Sequence, residues 1–100
     1  MLGKPTRVEA KWMDDICRIG CIACRVMGRK DVPGMVHHML SGSVRRGHTY
    51  TLCLCFDHHH SGCYDDQIVS RHPWKTRFEK LYGSEIELLC LSQKLVKELL

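Results

Sequence analysis

Thr49-Tyr50-Thr51-Leu52-Cys53-Leu54-Cys55-Phe56-Asp57-His58-His59-His60 is the stretch on which the fold turns. Its first half, 49–54, is rich in Thr, Tyr and Leu and reads as a β-strand. The second half opens a segment, 55–63, that packs Cys55, His58, His59, His60 and Cys63 into a few positions. Cys55-x-x-His58 is half of a zinc site, because a two-residue spacer lets both donors reach one ion at about 2.0–2.3 Å. The other half stands upstream as Cys21-Ile22-Ala23-Cys24, with the same spacing. A lone Cys-x-x-Cys also fits redox chemistry. Two matched half-sites make a Cys₃His set for structural Zn²⁺, bracketing whatever lies between them. Cys17, Cys53 and Cys63 compete as ligands, with Cys53 expected on the strand face away from the site.

Working outward, the 100 residues allow one domain, with segments 1–20 (N-terminal helix), 21–72 (zinc-bearing core) and 73–100 (C-terminal helices). A core this small gains from a staple. Seven cysteines, an odd number, argue against a disulfide framework, and seven histidines alongside them argue for metal. Residues 1–11 carry Lys4, Arg7 and Lys11 with no apolar stretch behind them, so no secretory leader is expected. No apolar run approaches the roughly 18–20 residues that cross a bilayer. The net charge of +4 is uneven, with the basic excess in the first half, including Arg25, Arg29, Lys30, Arg45 and Arg46. Such a face suits a polyanion, and equally suits plain solvation.

Val8, Trp12, Ile16 and Ile19 recur at helical spacing, predicting a helix over 7–19 that stops at Gly20. The Cys21–Cys24 pair follows as a turn, and 28–34 as a loop. A strand over 35–40 pairs with 49–54 as an antiparallel hairpin, joined by a long connection over 41–47. Pro73 opens a helix through Trp74, Phe78 and Leu81 that stops at Gly83. Ser84 with Glu87 is a capping-box pattern for a last helix over 85–100, whose Ile86, Leu89, Leu95, Val96 and Leu99 are expected in the core.

His37-His38 is the second constellation. Neighbours on a strand face opposite sides, so the two imidazoles serve different tasks. Two strand histidines are usually surface residues, but His48, His59 and His72 stand nearby in the pattern.

The order Cys21-x-x-Cys24, Val36-His37-His38, Gly47-His48, Leu54-Cys55-x-x-His58-His59 resembles an HNH endonuclease with a structural zinc. The tail, Arg71-His72-Pro73-Trp74-Lys75, then Phe78, then Tyr82-Gly83-Ser84-Glu85-Ile86-Glu87-Leu88-Leu89, is similar to the phage recombination-enhancement-function (Ref) nucleases, RecA-dependent members of that group. The resemblance implies an α+β fold, a small treble-clef-like ββα-metal core with flanking helices. It implies His38 as general base, and His37, His59 and His72 as ligands of a catalytic Mg²⁺, Mn²⁺ or Zn²⁺. His60 and Cys63 compete with His72 for the third ligand position. His48 falls where the family usually has Asn and is grouped with the catalytic residues. Hydrolysis of DNA to 5′-phosphate and 3′-hydroxyl ends is implied. Arg45, Arg46 and Lys75 are candidates to grip flanking phosphates, with plain solvated charge as the alternative for each. A RecA filament is the implied partner, and the cytoplasm of a bacterial host the implied location. The competing readings are a zinc-dependent DNA-binding module without catalysis and a recombinase-docking module. Oligomeric state is left open.

Overall fold

The computed structural model describes residues 3–41, 44–59, 69–71 and 74–100. Helix α1, Arg7–Ile19, opens on a capping box in which the Thr6 hydroxyl accepts from the Glu9 N–H at 3.2 Å. The Glu9 carboxylate accepts from the Thr6 N–H at 2.8 Å. The apolar stripe is buried only from Trp12 onward, and Val8, in the first turn, is 75% exposed. α1 stops at Gly20, whose φ of +83° and close approach to the Val32 carbonyl leave no room for a side chain. Where the sequence predicts a turn, Cys21 caps a short helix α2, Ile22–Val26, its Sγ accepting from the Cys24 N–H at 3.4 Å. One turn of helix places Cys21 and Cys24 on the same side.

Strands β1, Met35–His38, and β4, Thr51–Leu54, pair antiparallel, with Met35 opposite Leu54 and His38 opposite Thr51. Gly34 lies so close to β4 that a Cβ would sit 2.8 Å from Cys53 Sγ. Both strands are shorter than predicted. The 35–40 strand breaks at Met39, which is buried, and resumes as β2, Leu40–Ser41, paired with β3, Val44–Arg45. The connection expected over 41–47 is therefore in part a second ladder. The 49–54 strand starts at Thr51 because Gly47 to Tyr50 close a turn, with the Tyr50 N–H donating to the Gly47 carbonyl at 3.3 Å. All of β4 is buried, since α1, α2 and the last helix pack on it.

Helix α3, Phe56–His59, follows β4 directly. Helix α4, Lys75–Tyr82, is capped by Trp74 and ends at Gly83. Its described start is Lys75, two residues later than predicted, and Pro73 lies outside the described residues. Phe78 and Tyr82 are buried, whereas Trp74 and Leu81 are exposed. Helix α5, Glu85–Leu99, carries the expected capping box, with Ser84 Oγ accepting from the Glu87 N–H at 3.1 Å. Its buried residues are Leu88, Leu89 and Ser92, with Leu91 and Leu95 packed behind them. Ile86 and Leu99, predicted in the core, are exposed. The helix is rotated so that Leu88, Leu89 and Ser92, not Ile86, are buried, and that rotation carries Glu85 inward. Among the described residues no helix is long and apolar enough to cross a membrane.

The described residues thus make a small mixed fold: the two-stranded β1–β4 sheet, with β4 covered, and the short β2–β3 ladder, flanked by helices.

Candidate functional site

The end of β4 builds the first centre. The chain leaves the strand at Leu54, so Cys55 turns toward α2 while Cys53 stays in the ladder. The first turn of α3 then lifts His58 over the same spot, its N–H and that of His59 donating to the Cys55 carbonyl at 3.1 and 2.9 Å. Cys21, Cys24, Cys55 and His58 are all buried, with their donor atoms within 4.8 Å of one another. His58 Nδ1 lies 3.6 Å from Cys21 Sγ, 3.4 Å from Cys24 Sγ and 3.2 Å from Cys55 Sγ. The Cys24 and Cys55 sulfurs are 3.8 Å apart. Ligands held tetrahedrally at Zn–S and Zn–N distances stand about 3.5–3.8 Å apart, so these four residues fit a structural zinc ion.

The surroundings agree. Burial, then crowding by neighbouring thiols, pushes the Cys24 thiol far above its ordinary value, and burial also raises Cys21. Three crowded buried sulfurs are the setting that a divalent cation relieves. Burial lowers the His58 pKa and favours the neutral ring a metal requires. With Nδ1 toward the sulfurs, Nε2–H donates to the Tyr82 hydroxyl at 3.1 Å, and that hydroxyl accepts the Val69 N–H at 3.2 Å. Tyr82 orients the ligand ring. Cys53 is buried beside Cys17, outside the set. Cys63 lies outside the described residues.

β1 sends its two histidines to opposite sides, as alternation requires. On one side His37 Nε2 meets Glu85 Oε2 at 2.6 Å, and the rings of His37 and His59 stand 5.1 Å apart, edge to face. Glu85 Oε1 accepts from Arg71 Nη2 at 3.3 Å, and the Arg71 N–H donates to the His58 carbonyl at 2.6 Å. Burial alone raises the Glu85 pKa. The His37 bond and the Arg71 guanidinium outweigh it and hold the carboxyl below its ordinary value. His59 follows the zinc-type ligand His58 on the same short helix, so the first centre fixes the position of the second.

On the other side His38 Nε2 lies 3.2 Å from His48 Nδ1, and His48 Nε2 lies 2.8 Å from the Gly3 carbonyl. The turn carrying His48 is pinned by Thr51, whose hydroxyl donates to the His48 carbonyl at 2.9 Å and accepts from Trp12 Nε1 at 3.0 Å. A carbonyl only accepts, so His48 Nε2 carries the proton and, in the neutral ring, Nδ1 accepts from His38 Nε2–H. The network thereby assigns the basic lone pair of His38 to Nδ1.

Of the other predicted residues, Arg46 is exposed with its guanidinium 4.3 Å from the Tyr50 ring centroid. Arg45 is in β3, and Lys75 is exposed at the start of α4, 4.0 Å from Glu79. His60 and His72 lie outside the described residues. Among the described residues, Cys₃His is the one set of three or more donors that closes on a common point. Glu85, Arg71, Tyr82 and the Gly3 carbonyl were not singled out from the sequence. Arg71, Tyr82 and Glu85 stand in the tail that carries the resemblance, but no spacing rule separates them from its packing residues.

The family model described as recombination enhancement, RecA-dependent nuclease matches residues 5–97. The chain belongs to this family. A comparison with curated protein sequences finds no match. The matched span begins before α1 and ends within α5, so the Cys₃His set and both histidine pairs lie inside the RecA-dependent nuclease region.

Proposed function

We propose that the chain is a single-domain, metal-dependent DNA endonuclease of the HNH type, acting with RecA in recombination. The observation that carries this reading is the division of labour on β1: His37 shares one side with His59, while His38 on the other is bonded to His48. The order β1, β4, α3 supports a ββα-metal core, with the Cys₃His set as its structural zinc.

His37 and His59 would hold the catalytic divalent ion, with His72 as the third ligand. Two facing imidazoles, one backed by a carboxylate, are a donor set that suits Mn²⁺ or Zn²⁺ as well as Mg²⁺. Such an ion, when bound, would supply electrostatic stabilisation of the charge that builds on the scissile phosphate and the departing 3′ oxygen. His38 Nδ1 takes a proton from the attacking water, and a neutral imidazole is basic enough to do so near neutral pH. His48 keeps His38 in the tautomer that leaves Nδ1 basic. Glu85 fixes the His37 ring, and Arg71 holds Glu85. Hydrolysis leaves 5′-phosphate and 3′-hydroxyl ends. Arg45, Arg46 and Lys75 bind flanking phosphates without reading bases.

The test is cleavage of labelled DNA with Mg²⁺ or Mn²⁺, with and without RecA-coated single strand, for the wild type and His38→Ala. Cleavage that depends on His38, and increases with RecA, supports the reading. A folded, zinc-loaded wild type that cleaves under none of these conditions overturns it in favour of a binding module.

A further inference from the structure

At the start of α4 a cavity of about 650 Å³ is lined among the described residues by Trp74, Lys75, Thr76, Arg77 and Lys80, none of which belongs to the Cys₃His set or to the histidine pairs. Three of the five are cationic and none is acidic. The nearest recorded counter-charge to Lys75 is Glu79, 4.0 Å away, at the outer limit of an ion pair between exposed groups. Trp74 is 45% exposed although it caps a helix whose Phe78 and Tyr82 are fully engaged in the core. A large indole left half in water beside three cations is not needed for packing.

We propose that this cavity binds an unpaired DNA strand, with a base stacked on Trp74 and the adjoining phosphates on Lys75, Arg77 and Lys80. The ligand class follows from the two kinds of group present. Cations take phosphates of any nucleic acid, but an indole face takes only a base whose own face is free. Bases in a duplex are covered by their neighbours. A groove of stacking platform plus cations therefore favours a single strand. The site rests on the nuclease reading only for its use, as a hold on the strand to be cut.

The experiment is fluorescence polarisation of a labelled oligo(dT) and of a duplex of equal length, without added Mg²⁺ or Mn²⁺, across a salt series. Wild type binds the single strand more tightly than the duplex. Trp74→Ala weakens single-strand binding roughly tenfold or more, and Trp74→Phe restores most of it. Lys80→Glu also weakens it, and flattens the salt slope by about 0.7 for the lost contact. Because Lys80 is exposed, that second variant keeps its meaning if Trp74→Ala folds poorly. Unchanged affinity in both variants, or equal binding of duplex, overturns the proposal. As binding is read without the catalytic ion, a chain that never cleaves still answers. Trp74-dependent binding without cleavage would sink the nuclease reading alone, and His38-dependent cleavage with Trp74-independent binding would sink the cavity alone.

Discussion

On the HNH reading proposed above, His48 stands where Asn is usual. Its ring accepts from His38 and donates to the Gly3 carbonyl, so on that reading it would do for His38 what an orienting group does in a catalytic triad. His48→Ala should lower kcat about tenfold or more with little change in Tm. His48→Asn, whose amide oxygen also accepts, should retain more activity, measured on the same labelled DNA. Glu85 offers a second test. Its carboxyl is held below the ordinary 4.5, so its contribution to stability is complete above that value and lost as pH falls through the lower folded one. Glu85→Gln should flatten the decline of Tm below about pH 4.5. It should also weaken Mn²⁺ binding, followed by calorimetry, by about 10–100-fold, as loss of a partner behind a ligand does. The resemblance placed His48 among the catalytic residues, but its bonds to His38 and Gly3 were not legible in the sequence, and Glu85 was not singled out at all. A carboxylate following Ser84 reads as helix capping, and only the rotation of α5 turns it toward His37.

At the scale of the elements, the helices were more legible than the strands. α1 was read from its helical spacing and its stop at Gly20, and α5 from a capping box, both local patterns written in neighbouring residues. The strands lost residues at Met39 and at the turn ending in Tyr50, because pairing and burial across the molecule decided where the ladder stopped. Gly34 is the position where this closeness is sharpest. Gly34→Ala would press a methyl group on Cys53 Sγ and the Leu54 backbone, both 2.8 Å away. We expect it to cost about 1–3 kcal/mol in urea denaturation, as overpacking does. The face of α5 was misjudged at Ile86 and Leu99 for a related reason. With apolar side chains at most positions from Ile86 to Leu91, periodicity alone does not select the buried stripe, and contact with β4 does.

For the whole molecule, the Cys₃His set is the group that could hold a structural metal ion and so act as its staple. Zinc binding in small domains contributes roughly 10–16 kcal/mol, comparable with or above the entire stability of an ordinary domain. Chelation, or Cys21→Ala, should therefore abolish the cooperative thermal transition, with bound zinc falling from one ion per chain to none by elemental analysis. Cys53→Ala, outside the set, should keep the ion. The same fold ties the two centres together, since α3 carries His58 into one and His59 toward the other.

What the sequence by itself determined was the chemistry that depends on spacing: the two half-sites Cys21/Cys24 and Cys55/His58, the split of His37 from His38, and the capped helices. Each is a relation between residues a few positions apart, and backbone geometry converts such spacing directly into direction. What only the tertiary structure decided was which distant groups meet these residues. Glu85 on His37, Tyr82 on His58 and Gly3 on His48 are contacts between elements far apart in the chain. They arise because burial of β4 under α1, α2 and α5 brings those elements together, and no local periodicity encodes which polar atoms then fall within hydrogen-bond reach.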